Sequence, residues 1–314
     1  MYKIKQLPED FVVKELSELQ FDESGRYSYY LLKKRDYSTL KAVEVVAEKL
    51  GVSRKLINFA GTKDRKAVTE QFVSVQGGKP AGFVLGDIEL KYLGRGAERL
   101  NLGSLSGNHF EITVRNLENA KIRAMKTDLQ NVPNYFGEQR FGARENNEVV
   151  GKLIVKKQFR QACLLIPETH GWLNRKPNDF IGALRSIDRA ILRMYVHAYQ
   201  SYLWNKMAGM LVKKGQSIKV PILGFETEIE DAELKLIVDQ ILREENLSLR
   251  EFVIREIPEL SSGGGERELF VDVQDFKAGK PEADELNEGK KKVLLSFSLP
   301  KGSYATVVVK WLFS

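Results

Sequence analysis

A chain of 314 residues with 43% hydrophobic and 29% charged side chains has the make-up of a globular protein with a sizeable buried core, either two domains or one domain carrying a large insertion. Cys163 is the single cysteine, which excludes an internal disulfide and a thiolate metal cluster, and no apolar run approaches the roughly 20 residues of a membrane span. The 49 basic against 42 acidic residues leave a net charge of +7, concentrated in residues 1–130 (22 Lys and Arg against 17 Asp and Glu), a balance that suits a polyanionic partner without requiring one.

The opening MYKIKQLPEDF lacks the apolar core of a signal peptide, so a cytoplasmic protein is expected. The first 35 residues read as strands: FVVKEL after the Pro8 turn, then YSYYLLKKR after a turn cluster at Asp22–Gly25. A helix comes next, with Ser38 or Thr39 as N-cap, Leu40, Val43, Ala47 and Leu50 at helical spacing, and Gly51 at its end. Ser53 starts a short second helix, and INFAG reads as a buried strand leading into GTKDRK at 61–66. QFVSV and HFEITVR alternate, which puts Phe110, Ile112 and Val114 on one face.

From about residue 117 the pattern turns helical. The longest helix is expected over 187–214, with Ile187, Ile191, Met194, Ala198 and Tyr202 as its stripe and Gly215 as its C-cap. SSGGGER at 261–267 reads as a flexible domain junction, and beyond it ELFVDV, KVLLSFSL and SYATVVVKWLF all read as strands. Strands at both ends of a helical middle imply one α/β domain interrupted by an insertion, because the closing strands need a sheet to join.

The usual catalytic toolkits are missing. His109, His170 and His197 lie far apart with no HxxxH, HExxH or CxxC spacing, so no metal site is expected. GGGER is no phosphate loop, and neither a GxGxxG helix start nor a GxSxG elbow occurs. What remains is carboxylate chemistry in basic and aromatic company. Asp64 stands among Lys63, Arg65 and Lys66. If 61–66 is extended, Lys63 and Arg65 face away from it, and its charge partner comes from elsewhere in the fold. Such a carboxylate can act as nucleophile or base, although an exposed turn aspartate would give the same six letters. LSGNHFEITVR sets Asn108 and Phe110 at the mouth of a strand, and VPNYFGEQRFG interleaves Tyr135, Phe136 and Phe141 with Asn134, Gln139 and Arg140. Ring faces beside a guanidinium suit unstacked RNA bases and phosphates; they suit a domain seam equally well.

PEDFVVKE (8–15), AGTKDRKAVTEQ (60–71), LSGNHFEITVR (105–115), PNYFGEQRFG (133–142), AYQSYLWN (198–205) and LPKGSYATVVVK (299–310) fall in the order seen in the TruD family of tRNA pseudouridine synthases, which the chain resembles over nearly its whole length. The resemblance implies an α/β (α+β) pseudouridine-synthase fold with a mixed, largely antiparallel central sheet. Residues 1–130 and 265–314 would form the catalytic domain, and 131–264 a mostly helical TruD-type insertion domain. It further implies a monomeric enzyme that isomerises a uridine of tRNA to pseudouridine with no metal or cofactor, uridine 13 of the D-arm being the target in similar enzymes and uridine 35 of tyrosine tRNA in some relatives. By motif match Asp64 is the catalytic carboxylate and Lys5 the basic residue paired with it. Phe110 would pack on the target base, Tyr304 would be the C-terminal aromatic of the pocket, and Asn108 would bond the base or brace the aspartate loop. Lys63, Arg65 and Arg140 are expected to meet phosphates or support local structure. Two departures stand out: the chain is short for the family, and Lys310-Trp311 replaces the Arg-Glu that often follows the last strand. The rival from another class is a catalytically silent RNA-binding or chaperone protein on the same fold, which gives no reason for an aspartate set between AGTK and RKAVT.

Overall fold

The computed structural model of the protein describes residues 1–142, 145–215 and 218–314. They form two compact units, the first made of Met1–Gln130, Asp272–Ala305 and Val309–Ser314, the second of Asn131–Val271 and Thr306–Val308. In the first unit, strands β1 (Phe11–Leu16) and β2 (Tyr27–Arg35) alternate in burial, so Phe11, Val13 and Glu15 share one side of β1, and Tyr30, Leu32 and Lys34 one side of β2. Helix α1 (Thr39–Leu50) starts at Ser38, whose hydroxyl accepts from the Lys41 amide, and stops at Gly51 in the left-handed region (φ 67). It buries Ala42, Val43, Val46 and Ala47 and leaves Leu40 exposed, so the core stripe is rotated from the expected one. The small and β-branched side of α1 packs with Tyr30, Leu32, Val73, Val75 and Leu90. A 3-10 turn at Arg54–Leu56 stands where a second helix was expected. Then come β3 (Ile57–Phe59), β4 (Val68–Gln76), β5 (Phe83–Leu85), β6 (Ile88–Gly96), β7 (Gly107–Leu117) and α2 (Asn119–Arg123).

The second unit holds β8 (Val132–Pro133), α3 (Asn147–Val155), α4 (Phe159–Leu165), α5 (His170–Leu173), α6 (Phe180–Arg185), α7 (Arg189–Leu211), β9 (Lys219–Ile222), α8 (Ala232–Glu244), β10 (Gly265–Glu268) and β11 (Phe270–Val271). Helix α7 is shorter than expected, ending at Leu211 before a 3-10 turn and Gly215 (φ 68). Its core side is Leu192, Val196, Tyr199, Leu203, Trp204 and Met207, while the expected Ile191 and Met194 are exposed. The buried polar groups on that side are satisfied, Gln200 donating to the Leu223 carbonyl (2.6 Å) and Trp204 to that of Val220 (3.1 Å), which lets the aromatic side turn inward. A Cβ at Gly151 would come within 2.0 Å of the Tyr195 carbonyl, so glycine is what lets α3 lie directly on α7. The glycine run at 263–265 is internal to this unit: β10 pairs with β9, and a Cβ on Gly264 would meet the Ile222 carbonyl at 2.5 Å. Close backbone approach and a left-handed φ of 99 explain Gly264.

The chain re-enters the first unit through β12 (Gln274–Ala278), β13 (Glu282–Ala283) and β14 (Lys291–Pro300), and ends in α9 (Ala305–Leu312). The ten-stranded sheet runs β12-β14-β7-β1-β4-β2-β6-β5, with β13 on β14 and β3 on β4. Every pair is antiparallel except β1 with β4, which makes the sheet mixed and largely antiparallel. The terminal SYATVVVKWLF is a helix where a strand was expected. Its valines favour strands by propensity, but Ala305, Val308, Val309 and Leu312 fall at i, i+3, i+4 and i+7 and are all buried, and that periodicity prevails. Among the described residues no helix is long and apolar enough to cross a membrane.

Candidate active site

Asp64 lies in the irregular stretch between β3 and β4, and that stretch is tied down along its length. The Gly103 amide donates to the Ala60 carbonyl (2.7 Å), and Gln71 Nε2 donates to the Gly61 carbonyl (3.0 Å). The Lys63 amide donates to Thr39 Oγ1 (2.9 Å), and that hydroxyl donates to Gln71 Oε1 (2.9 Å). Lys34 Nζ donates to the carbonyls of Asp64 (2.8 Å) and Tyr37 (2.6 Å). Thr39, Gln71 and Lys34 are buried, so the loop sits on a floor of satisfied polar groups rather than in solvent.

The side chain of Asp64 meets Lys5, whose Nζ stands 2.6 Å from Oδ2. Lys5 is carried there by a pinned N-terminus. Lys3 and Arg115 exchange main-chain hydrogen bonds at 2.9 and 2.8 Å, and the Leu7 amide donates to Asp10 Oδ2 (2.9 Å) at the start of the Pro8–Asp10 turn. Between these anchors Lys5 adopts a left-handed backbone (φ 56), and its ammonium also lies 4.0 Å from the centre of the Phe11 ring.

The four charges at 63–66 do not share the expected extended geometry. Residues 61–64 have no regular structure and 65–67 bend, so Lys63 and Arg65 go separate ways. Lys63 turns inward, its Nζ 2.6 Å from Glu15 Oε2 and 2.8 Å from Asn108 Oδ1, with the Lys63 and Glu15 side chains 7% and 1% exposed. Arg65 is exposed, 3.8 Å from Asp36. A lysine has only donors to offer, so the contact fixes the amide of Asn108 with its oxygen toward Lys63. Asn108 and Glu15 face each other across β7 and β1, and Phe110 follows two residues on. The Phe110 ring lies between Phe11 and Phe297, with centroids 6.1 and 5.8 Å away, and is only 7% exposed. Tyr304 is half-buried at the residue before α9. Burial pushes the Lys34 ammonium down to about 8, with Asp64 opposing the shift and Lys63 adding to it.

Lys5 and Asp64 are thus in direct contact, with Phe11 between Lys5 and Phe110, and Lys63 and Asn108 form a second pair that neighbours Asp64 and Phe110 along the chain. Arg140 belongs to the second unit, 5.4 Å from the Phe136 ring. Phe136 is buried edge-on to Trp204 with Arg267 over it at 4.2 Å, so the NYFG aromatic fills a core. Lys34, Glu15, Thr39 and Gln71 were missed in the sequence, yet Glu15 in F-V-V-K-E and Lys34 in Y-L-L-K-K occupy the inward parity of their strands. A charged residue at an inward position is the signal that marks them. No group of three metal-ligating side chains occurs among the described residues.

The family model described as tRNA pseudouridine synthase D (TruD) matches residues 2–171, 168–222 and 210–312. A protein of Methanosarcina acetivorans named "Probable tRNA pseudouridine synthase D" is 32% identical, the alignment covering 98% of this chain and 91% of that one. The tRNA pseudouridine synthase D of Aquifex aeolicus is 30% identical, over 99% and 98%. A crystal structure from Methanosarcina mazei under the name "Putative tRNA pseudouridine synthase D (TruD)" superposes with a TM-score of 0.77 at 31% identity, covering 99% of this chain and 93% of the other.

Proposed function

The chain belongs to the TruD family of tRNA pseudouridine synthases, an isomerase family, and from that premise we propose that it converts uridine 13 of the tRNA D-arm to pseudouridine with Asp64 as the catalytic carboxylate. The observation that carries the reading is the Lys5–Asp64 pair at 2.6 Å, on a loop whose main chain is bonded from below. A carboxylate whose position is set before substrate arrives adds little reorganisation to the barrier. The target nucleotide leaves its stack, and Asp64 either attacks C1′ or takes the C2′ proton. The N1–C1′ bond breaks, the uracil turns over in place, and C5 bonds to C1′ as Asp64 either leaves C1′ or returns the proton to C2′. The C5 proton is lost and N1 gains one, so the product is an isomer and no redox partner is needed. In this reading Asn108 offers its amide nitrogen to a uracil carbonyl, Phe110 and Tyr304 bound the base, and Arg140 contacts the RNA backbone. The TruD-type insertion, expected over 131–264, is read as the second unit with its main stretch Asn131–Val271, and the enzyme works as a monomer in the cytoplasm.

Pseudouridine mapping of tRNA incubated with the protein, beside the same tRNA with Asp64→Asn, tests this. Product at position 13 from the wild type alone is expected. Conversion at another position would overturn the target, and product from Asp64→Asn would overturn the role of the aspartate.

A further inference from the structure

We propose that Lys34 is a positioning residue for the reaction: from inside the core it holds the main-chain carbonyl of Asp64 and thereby sets where that carboxylate points. The inference rests on the catalytic reading of Asp64 given above. Lys34 is fully buried on β2, at the inward position that follows Tyr30 and Leu32, where packing alone would favour an apolar side chain. Burying an ammonium is costly, and this one is compensated by two carbonyls, Tyr37 at 2.6 Å and Asp64 at 2.8 Å. The other loop ties, from Thr39 and Gln71, are made by neutral groups, so anchoring the loop does not in itself require a charge. What the cation adds is a charge-assisted bond to the main chain of Asp64 itself and a positive charge beneath it. Asp64 is then gripped twice, by Lys5 on its carboxylate and by Lys34 on its backbone.

The charged groups facing Lys34 are Asp64 and Lys63, both from the 60–67 loop. Strands β4 and β6 set Thr69 and Ile88 opposite it, and the buried side of α1 carries Thr39, Ala42, Val43, Val46 and Ala47, none of them charged. With its ammonium pushed down to about 8, Lys34 keeps its charge at neutral pH and loses it above that value. A contribution that depends on that charge is therefore present below pH 8 and fades above it.

Single-turnover rates on a tRNA transcript from pH 6.5 to 9.5, with tRNA affinity measured in parallel, provide the test for wild type, Lys34→Met and Asp64→Asn. Wild type should lose rate above about pH 8. Lys34→Met should lose about tenfold or more at pH 7, bind tRNA within about twofold of wild type, and lack the alkaline fall. A folded Lys34→Met with the wild-type rate overturns the inference, and so does a rate loss matched by an equal loss of tRNA affinity. Should Lys34→Met fail to fold, the wild-type profile decides, since a rate that stays flat from pH 7 to 9.5 overturns it. Asp64→Asn separates the two ideas. If it is inactive while Lys34→Met is normal, only the role of Lys34 falls; if it is active, the reading of Asp64 falls first.

Discussion

Lys5 keeps a left-handed backbone that costs a non-glycine residue about 1–2 kcal/mol, and its contacts explain why a lysine is there. From that conformation one side chain reaches both Asp64 and the Phe11 ring. Lys5→Gly removes the strain together with the ion pair. Its stability should stay within about 1 kcal/mol of wild type, because the pair is partly solvated and the relief offsets its loss. Turnover should fall by about 100-fold, because the carboxylate loses the group that orients it. Urea titration and single-turnover kinetics separate the two effects, and unchanged turnover would refute the pairing as functional. Phe110 needs a gentler probe. Its ring is packed between Phe11 and Phe297, so Phe110→Ala should destabilise by about 3–5 kcal/mol through the cavity it leaves. Phe110→Leu keeps most of the volume and removes the ring. It should fold, bind tRNA within about threefold of wild type, and turn over more slowly, since one stacked base is a small share of a phosphate-dominated interface. An equal loss in affinity and turnover would place Phe110 outside the base pocket.

At the scale of elements, the 60–67 loop shows what the sequence made legible and what it left hidden. The strands around it were readable from alternation, β2 to its last residue, and α1 from its caps, because these features are written in neighbouring residues. The loop itself was legible only as a motif. Its geometry comes from Thr39 on α1, Gln71 on β4 and Lys34 on β2, residues brought together by the pairing of β2 with β4 and a hydrogen bond from Thr39 to Gln71, and not by sequence spacing. Propensity misled in α9, where three valines masked an i, i+3, i+4, i+7 pattern, and in α7, where hydrogen-bonded polar groups turned the aromatic side inward. Gln71 gives the loop its clearest test. Gln71→Leu leaves the Gly61 carbonyl and the Thr39 hydroxyl without their partner, at about 1–3 kcal/mol. Turnover should drop with tRNA affinity little changed, and unfolding curves should show the stability loss. A variant with normal kcat would mean the floor of the loop is dispensable for chemistry.

At the scale of the molecule, the first unit is built from separated stretches of chain, and the buried guanidinium of Arg115 ties Met1–Gln130 to Asp272–Ala305. It donates from β7 to Asp10 at 2.8 Å, and to Asp284 and Glu285 at 3.0 Å each, so it joins the N-terminal turn that delivers Lys5 to the segment that leads into β14. Glu285 is held at about 2, chiefly by Arg115 and then by Lys292. Burial opposes ionisation of Asp284, but amide donors from Asn116 and Leu286, with Asn287 and Arg115, outweigh it and hold that carboxyl below its ordinary value. Both carboxyls are depressed relative to the unfolded chain, so their stabilisation is complete above about pH 5 and is lost as pH falls toward 2. Arg115→Met leaves the buried carboxylates of Asp10 and Asp284 without their cation and should destabilise by about 3–5 kcal/mol at pH 7. Its urea midpoint should then change less than that of wild type between pH 5 and 2, because protonating Asp284 and Glu285 no longer costs their pairing with Arg115. If the variant keeps the wild-type acid slope, the acid sensitivity of the fold lies elsewhere. If turnover falls further than stability, the clamp also serves the site, since the turn it anchors is the one that positions Lys5.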